Sequence, residues 1–171
     1  MPNLKTIIDG HNKKVLKKNM NTDDENLKCN CRNKDNCPLD GNCRTKGVIY
    51  QATVTANDKN ETYVGLTEKE FKTRYNNHMT SFKNANHKNS TELSKHIWNL
   101  KEKKLNYRIT WKILSRSKPY NSISKRCNLC IEEKYFIIIH RDKASLNKRN
   151  ELVSTCRHRR KFLLKFAKDV I

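Results

Sequence analysis

Apolar and β-branched residues alternate with polar ones in three short segments of the chain. Val48–Ala56 alternates and is rich in β-branched residues, and Asn57–Asn60 has the composition of a turn before Thr62–Leu66. These segments predict a β-hairpin. Tyr107–Leu114 alternates well enough to predict a third strand on the hairpin.

Helical spacing of apolar residues follows the hairpin. Residues 67–70, Thr-Glu-Lys-Glu, match a capping box and predict a helix that runs to about Asn84. A second helix is predicted to begin near Ser90 or Thr91, and its apolar stripe covers residues 93–100.

The third predicted helix is the most apolar of the three. It runs from about Ser124 to His140, after a loop at residues 118–122. The elements therefore follow the order strand, strand, helix, helix, strand, helix. This order predicts an α/β fold in which a small antiparallel three-stranded sheet is flanked by helices.

Charge narrows the classes of partner. The 171 residues include 37 Lys and Arg against 17 Asp and Glu, a net charge of +20 that is spread along the chain. This excess favours a polyanion, because neutralised phosphates release counterions, although a soluble basic surface or a ribosome-associated protein would share it. No apolar stretch reaches the ~20 residues that span a bilayer, and residues 1–18 lack the apolar region of a secretory signal.

The cysteines predict metal binding. Seven cysteines without an export signal argue against a disulfide framework. Four thiols lie within fifteen residues, at Cys29, Cys31, Cys37 and Cys43. Asn, Asp, Pro and Gly between them permit tight turns, so the four can surround one tetrahedral zinc ion.

A second group of zinc ligands is spread more widely. Cys127 and Cys130 form a Cys-x-x-Cys pair, which Cys156 and His158 complete, and His140 is the alternative fourth ligand. Buried cysteines on a core helix are the interpretation without metal. The two groups can also exchange ligands if their segments meet in space.

Two short blocks in the predicted hairpin each carry a tyrosine. Gly-Val-Ile-Tyr ends at Tyr50, and Thr-Tyr-Val-Gly contains Tyr63. Arg74 and His78 follow on the first predicted helix, four residues apart and on the same face. This ordered set resembles the signature of the GIY-YIG nucleases, whose layout of elements also matches residues 47–147.

The resemblance implies a divalent metal ion at a helix-borne glutamate. Glu132 on the third helix is the expected ligand for Mg²⁺ or Mn²⁺, and Glu133 is its competitor. Asn147 would support the site. A hard cation of this kind suits one carboxylate, several waters and a substrate phosphate.

The resemblance also implies roles for the four residues of the motif. Tyr50 would serve as the general base or relay to it, with its pKa lowered by the metal and nearby cations. Arg74 would hold the scissile phosphate with its planar guanidinium. Tyr63 and His78 would orient water and assist proton transfer. Taken singly, each tyrosine is also compatible with simple packing in a sheet.

Other segments look like the nuclease regions of animal retroelements, especially the Penelope-like group. They are the first cysteine run, Leu-Ser-Lys-His-Ile-Trp at 93–98, Lys-Arg-Cys-Asn-Leu-Cys at 125–130, and residues 146–158. In that group the nuclease follows a reverse transcriptase and nicks target DNA to prime insertion. This sequence departs from the pattern because it contains no polymerase and no cysteines between the two tyrosine blocks, where some members place zinc ligands.

We therefore predict a metal-dependent DNA endonuclease of a retroelement, with structural zinc and a nuclear location inferred from its substrate and basic clusters. Its partners would be DNA and a reverse transcriptase domain normally in the same polypeptide, with no membrane. The expected parts are a basic arm (1–28), a zinc knuckle (29–46), the nuclease core (47–147) and a basic extension (148–171) that completes the second zinc site. The main alternative is a catalytically inactive, zinc-containing nucleic-acid-binding module.

Overall fold

The computed structural model describes residues 3–20 and 28–148, together with Cys156 and His158. Its helices are α1 (Leu4–Met20), α2 (Phe71–Lys83), α3 (Glu92–Glu102) and α4 (Asn128–Ile139). Its strands are β1 (Val48–Ala56), β2 (Lys59–Thr67), β3 (Arg108–Arg116), β4 (Tyr120–Asn121) and β5 (Arg126–Cys127). Short 3₁₀ turns lie at Ala85–His87 and Arg141–Lys143. Most of the predicted extension 148–171 and residues 21–27 of the arm lie outside the described residues.

The central element of the fold is an antiparallel three-stranded sheet with the order β2-β1-β3, which confirms the predicted sheet. Residues Asn57 and Asp58 form the hairpin turn and have positive φ angles of 48° and 60°. Asn and Asp adopt this backbone conformation more readily than most residues, and it suits a two-residue hairpin turn. A separate ribbon pairs β4 with β5 just before α4.

Helices cover both faces of the sheet, and each face has its own apolar core. On one face Tyr50 and Val54 of β1 pack with Phe71 of α2 and with Leu93 and Ile97 of α3. On the other face, residues of β1 and β2 pack with α4; the buried members include Ile49, Val64, Leu129 and Ile137. Alternate residues of β1 thus pack into the cores on opposite faces of the sheet, because successive side chains of a strand point to opposite faces.

The start of α2 differs from the predicted capping box. Thr67 is the last residue of β2, and its hydroxyl donates to the carbonyl of Lys69 at 3.2 Å instead of capping a helix. The helix begins at Phe71, and its N-cap residue Glu70 makes no side-chain bond to the helix backbone. Glu70 instead pairs with Arg44, a residue remote in sequence that a local motif cannot anticipate.

Two other helices also depart from the sequence prediction. Helix α4 begins at Asn128, because the residues before it form the β4–β5 ribbon. The basic arm, in which no helix was predicted, contains the helix α1, and Ile8 and Val15 of this helix are buried. Among the described helices, none is both long enough and apolar enough to cross a membrane.

Gly65 at the end of the second tyrosine block lies directly against the ring of Tyr50. The two residues are cross-strand partners in the β1–β2 pair. A Cβ atom built on Gly65 would lie 2.5 Å from the Tyr50 hydroxyl and 2.7 Å from its Cζ atom. The Tyr50 ring is fully buried, so it has no room to move away.

We expect Gly65→Ala to lower the free energy of unfolding by about 1–3 kcal/mol, because the added methyl group overpacks the Tyr50 ring. Urea denaturation of the wild type and the variant measures the change. Gly10→Ala is the control, since a Cβ atom at this position of α1 would have no described atom within 4 Å and Ala favours a helix. Equal loss of stability in both variants would contradict the steric explanation.

Candidate active site and metal centres

Tyr50, Arg74 and His78 form a buried hydrogen-bonded chain at the junction of β1 and α2. The Arg74 Nε donates to the Tyr50 hydroxyl oxygen at 2.9 Å. The same hydroxyl lies 2.8 Å from the His78 Nε2. Tyr50 is fully buried and His78 is 2% exposed, so their polar atoms depend on these bonds.

The environment fixes where the protons of this chain lie. Burial raises the pKa of Tyr50, and Arg74 opposes that rise only in part. Burial, assisted by the charge of Arg74, lowers the pKa of His78 to about 3. Near neutral pH the imidazole is therefore neutral and the phenol keeps its proton. Arg74 donates to the phenol oxygen, which leaves the hydroxyl proton of Tyr50 available for the bond to the His78 Nε2.

This arrangement changes the expectation for Tyr50. The family resemblance implied a lowered pKa for this phenol, whereas burial shifts the pKa in the opposite direction. The ring packs edge-on against Phe71 and His78, with ring centroids 5.2 and 5.9 Å away. Tyr50 thus holds Arg74 and His78 in position and has no exposed surface.

A cavity of about 730 Å³ lies in front of this buried chain. The predicted site residues in its wall are Tyr63, Arg74, His78 and Asn147. Tyr63 also hydrogen-bonds Arg74, so the second tyrosine shares the guanidinium with the first. The structure therefore brings four of the six predicted catalytic residues to one cavity, with Tyr50 directly behind them.

The carboxylate beside the motif residues in this cavity belongs to Glu133. Its side chain is 3% exposed, lines the cavity and is close enough to Tyr50 to raise the pKa of that phenol further. Glu132 lies on a different side of α4, where the Ser115 hydroxyl donates to its Oε2 at 2.6 Å. The structure thus places the competitor residue, and not Glu132, beside the motif residues.

Asn147 joins the segment after α4 to the edge of the sheet. Its Oδ1 accepts a bond from the Val64 backbone N–H at 2.8 Å, and its Nδ2 donates to the Val64 carbonyl at 2.9 Å. The next residue toward the N-terminus, Leu146, donates its N–H to the Thr62 carbonyl at 2.8 Å. The Asn147 amide therefore forms the pair of hydrogen bonds that a neighbouring strand would form with Val64 of β2. It closes one wall of the cavity.

The outer wall of the cavity was not anticipated from the sequence. That wall is polar and comes mainly from the α2–α3 connection; it includes Asn77, His87, Thr91, Glu92 and Lys148. Lys148 and Lys95 both pair with the Glu92 carboxylate, at 3.3 and 2.6 Å. Of these residues, only His87 has a side chain whose type could have suggested a role, because an imidazole lies there in the polar segment that follows α2.

The first cysteine group converges on one point. Its four Sγ atoms lie within 4.8 Å of one another, and three of the separations are 3.5, 3.7 and 3.7 Å. Tetrahedral zinc with Zn–S bonds of ~2.3 Å requires sulfur atoms about 3.8 Å apart. The group Cys29, Cys31, Cys37 and Cys43 can therefore hold a zinc ion.

Backbone N–H groups support the thiolate form in this group. The Gly41 N–H donates to the Cys37 Sγ at 3.2 Å, and the Cys31 N–H donates to the Cys29 Sγ at 3.3 Å. Burial alone would raise the pKa of Cys37, but the N–H groups of Leu39 and Gly41, together with the thiols of Cys29 and Cys43, outweigh it and lower the pKa to about 7. Such donors favour the ionised ligand that zinc binds.

The second group also converges, and His158 is its fourth member. The Nδ1 of His158 lies 3.3 Å from the sulfur atoms of Cys127 and Cys130 and 3.5 Å from that of Cys156. These separations fit three thiolates and one imidazole around zinc. His140, the alternative ligand, instead contacts the rings of Tyr135 and Phe136 at the other end of α4. The four members, all of them described residues, can hold a second zinc ion.

No family model, curated protein or solved structure matches the chain in sequence or fold comparisons. Its function therefore has to be inferred from the chemistry of its own side chains. Among the described residues, that chemistry consists of two groups that can bind zinc and a polar cavity. The cavity wall includes two carboxylates, a guanidinium, a phenol and a buried imidazole.

We expect the protein produced with zinc to hold two zinc ions per chain, one in each group. Cys43→Ser and Cys130→Ser should each reduce the content to one ion, and Cys130→Ser should also destabilise the fold because metal binding contributes folding free energy. Elemental analysis and thermal denaturation measure the two effects. His140→Gln is the control that should keep both ions; loss of an ion in that variant would contradict the assignment of His158.

The protonation of His78 predicts loss of stability in acid. Its folded pKa of about 3 lies below the ordinary value of 6.5, so between these values the unfolded chain binds a proton that the folded chain does not. The free energy of unfolding should therefore fall as the pH drops through this range. Urea denaturation across this range should show a smaller fall for His78→Gln than for the wild type. Equal falls would mean that His78 is not held neutral.

Proposed function

We propose that the protein is a divalent-metal-dependent DNA endonuclease of the GIY-YIG type. The observation that carries the proposal is the meeting of Tyr63, Arg74, His78 and Glu133 in one cavity. These residues come from a strand and two helices, and they supply the groups that phosphodiester hydrolysis needs. The net charge of +20 favours a substrate with many phosphates.

Arg74 is the residue proposed to bind the scissile phosphate. Arg74 lines the cavity, and hydrogen bonds to the hydroxyl groups of Tyr50 and Tyr63 hold its guanidinium in place. A guanidinium has five N–H donors, which is more than two phenols use, and its planar fork matches two phosphate oxygens. The pKa of Arg74 is raised further by the two phenols, despite the opposing effect of burial, so the group stays charged.

Glu133 is the residue proposed to hold Mg²⁺ or Mn²⁺. One carboxylate beside the motif residues fits these ions, because Mg²⁺ is usually bound by one or two carboxylates together with waters and substrate phosphates. The other carboxylate of the cavity wall, that of Glu92, is paired with Lys95 and Lys148. The ion would neutralise charge on the phosphoryl oxygens and favour ionisation of a bound water. Asn147 is proposed to act indirectly, since both ends of its amide are bonded to Val64.

Proton transfer is assigned to groups in the cavity wall. Water attacks phosphorus, the bond to the leaving oxygen breaks, and that oxygen takes up a proton while the water loses one. Tyr63 would orient the attacking water, whose proton would pass to solvent after ionisation at the metal ion, and the exposed imidazole of His87, in its protonated form, would give a proton to the leaving oxygen. Tyr50 is a positioning residue in this scheme, because it is fully buried behind the wall.

The wider biological setting is proposed from the sequence resemblance. In this setting the protein acts on nuclear DNA as the nuclease of a retroelement, beside a reverse transcriptase domain. The zinc knuckle and the basic segments would bind the phosphate backbone while the core cuts. These proposals rest on the motif resemblance and on charge, and their direct test is metal-dependent cleavage of DNA.

Neighbouring glutamates of α4 provide a matched test. We expect Glu133→Gln to reduce cleavage of supercoiled plasmid in Mg²⁺ or Mn²⁺ by about 100-fold or more, because charge on the transferring phosphoryl group loses its stabilisation. Glu132→Gln should largely keep the activity, since that carboxylate contacts Ser115 instead of the cavity. Product topology on agarose gels is the measurement, at matched zinc content and DNA binding.

Two results would argue against parts of this proposal. Loss of cleavage in Glu132→Gln with activity kept in Glu133→Gln would move the metal to the other carboxylate. DNA binding by all three proteins with cleavage by none would identify a catalytically inactive, zinc-containing nucleic-acid-binding module.

A further inference from the structure

The N-terminus of α2 is docked on the first cysteine group. The first N–H groups of a helix lack partners within the helix and must find them elsewhere. Here the Phe71 N–H donates to the Thr45 carbonyl at 2.9 Å, and the Lys72 N–H donates to the Cys43 carbonyl at 2.6 Å. The segment that carries the cysteines therefore caps the helix with its own backbone.

Side chains add a second connection between the same two parts. The Arg44 guanidinium donates two bonds to Glu70, from Nε to Oε2 at 3.2 Å and from Nη2 to Oε1 at 3.1 Å. Lys72 donates its Nζ to the side chain of Asn30 at 2.8 Å and to the Asn30 carbonyl at 3.2 Å. A two-bond guanidinium–carboxylate pair restricts orientation as well as distance, so it fixes the direction of the helix axis.

The helix connects this contact with the cavity. Arg74 lies three residues and His78 seven residues after Phe71 on α2, and both line the cavity. An α-helix is rigid over this length and rises ~1.5 Å per residue, so a displacement of its first turn is transmitted to both side chains. Cys43 belongs to the zinc-binding group and also caps Lys72, which couples the metal site to the helix through one residue.

We propose that the zinc-loaded group of Cys29, Cys31, Cys37 and Cys43 positions α2, with Arg44 and Glu70 as the positioning residues that set Arg74 and His78 against the substrate. The catalytic consequence rests on the proposed nuclease function, whereas the structural consequence does not. Without zinc at this group, the segment that carries Cys43 and Thr45 is no longer held in place, and its backbone bonds to the first turn of α2 weaken. The group therefore controls the assembly of the cavity in addition to stabilising its own segment.

Hydrogen exchange on the full-length, zinc-loaded chain tests the structural part. In Arg44→Ala we expect the amides of residues 71–75 to exchange about fivefold faster, the effect of losing one capping contact, while those of β1 keep their rates. Arg108→Ala is the matched control, because Arg108 is an exposed arginine on β3. Exchanging the charges in Arg44→Glu with Glu70→Arg should restore protection of residues 71–75.

The role of the metal is tested with Cys31→Ser, which removes a zinc ligand and leaves in place the two residues whose carbonyls cap α2, Cys43 and Thr45. Loss of zinc from this group should accelerate exchange at residues 71–75 as in Arg44→Ala. Normal protection of these amides after loss of this zinc would overturn the proposal. So would a uniform increase across β1 and α2, or no change at residues 71–75 in Arg44→Ala.

Cleavage kinetics test the catalytic part separately. Arg44→Ala should lower kcat about tenfold with little change in KM, since small displacements of catalytic groups are costly, and the charge exchange should restore it. Unchanged kcat alongside altered exchange would overturn the link to catalysis. A wild type that never cleaves DNA, while its α2 amides respond as expected, would reject the nuclease and leave the positioning of α2 supported.

Discussion

The buried hydroxyl of Tyr50 is the constraint on which the arrangement of the site depends. A phenol oxygen with no access to solvent must find both a donor and an acceptor inside the protein. Arg74 and His78 satisfy it from one turn of α2, and this fixes the helix against β1. The same ring occupies the space above Gly65 on β2. Strands β1 and β2 and helix α2 therefore all contact the Tyr50 hydroxyl group. A substitution in one of these three elements at this contact disturbs the other two.

Both helices that supply the proposed catalytic residues begin at a cysteine group. Helix α2 receives backbone caps from Cys43 and Thr45, and helix α4 begins directly after Cys127, its N-cap residue. Glu133 lies less than one turn beyond Cys130 in α4. Arg74 likewise lies close to the start of α2, the end of the helix that contacts the first cysteine group. A small, highly charged chain buries limited apolar surface, so metal ligands at helix ends can supply order that a larger core would otherwise provide.

Local patterns predicted much of the fold and part of the site. The hairpin, the third strand and the start of α3 at Thr91 follow from residues close in sequence, and the structure confirms them. The start of α2 does not, because Glu70 responds to Arg44. Helix α4 is apolar on nearly every side, with exposed Ile131, Tyr135 and Ile139 as well as a buried stripe, so periodicity could not fix its rotation. That rotation alone decides which of the two adjacent glutamates reaches the cavity.

The amide that Asn147 places beside β2 also constrains the order in which the molecule can form. It closes the cavity by pairing with Val64, 83 positions earlier in the chain, and the second zinc group needs Cys156 and His158 as well. Contacts this distant in sequence form slowly, because the entropy of closing the loop is lost before the contact compensates for it. During synthesis the hairpin and the first zinc group emerge from the ribosome long before these residues. A nascent chain thus carries most of its positive charge before its cavity is complete, so the charge and the cavity are acquired at separate stages.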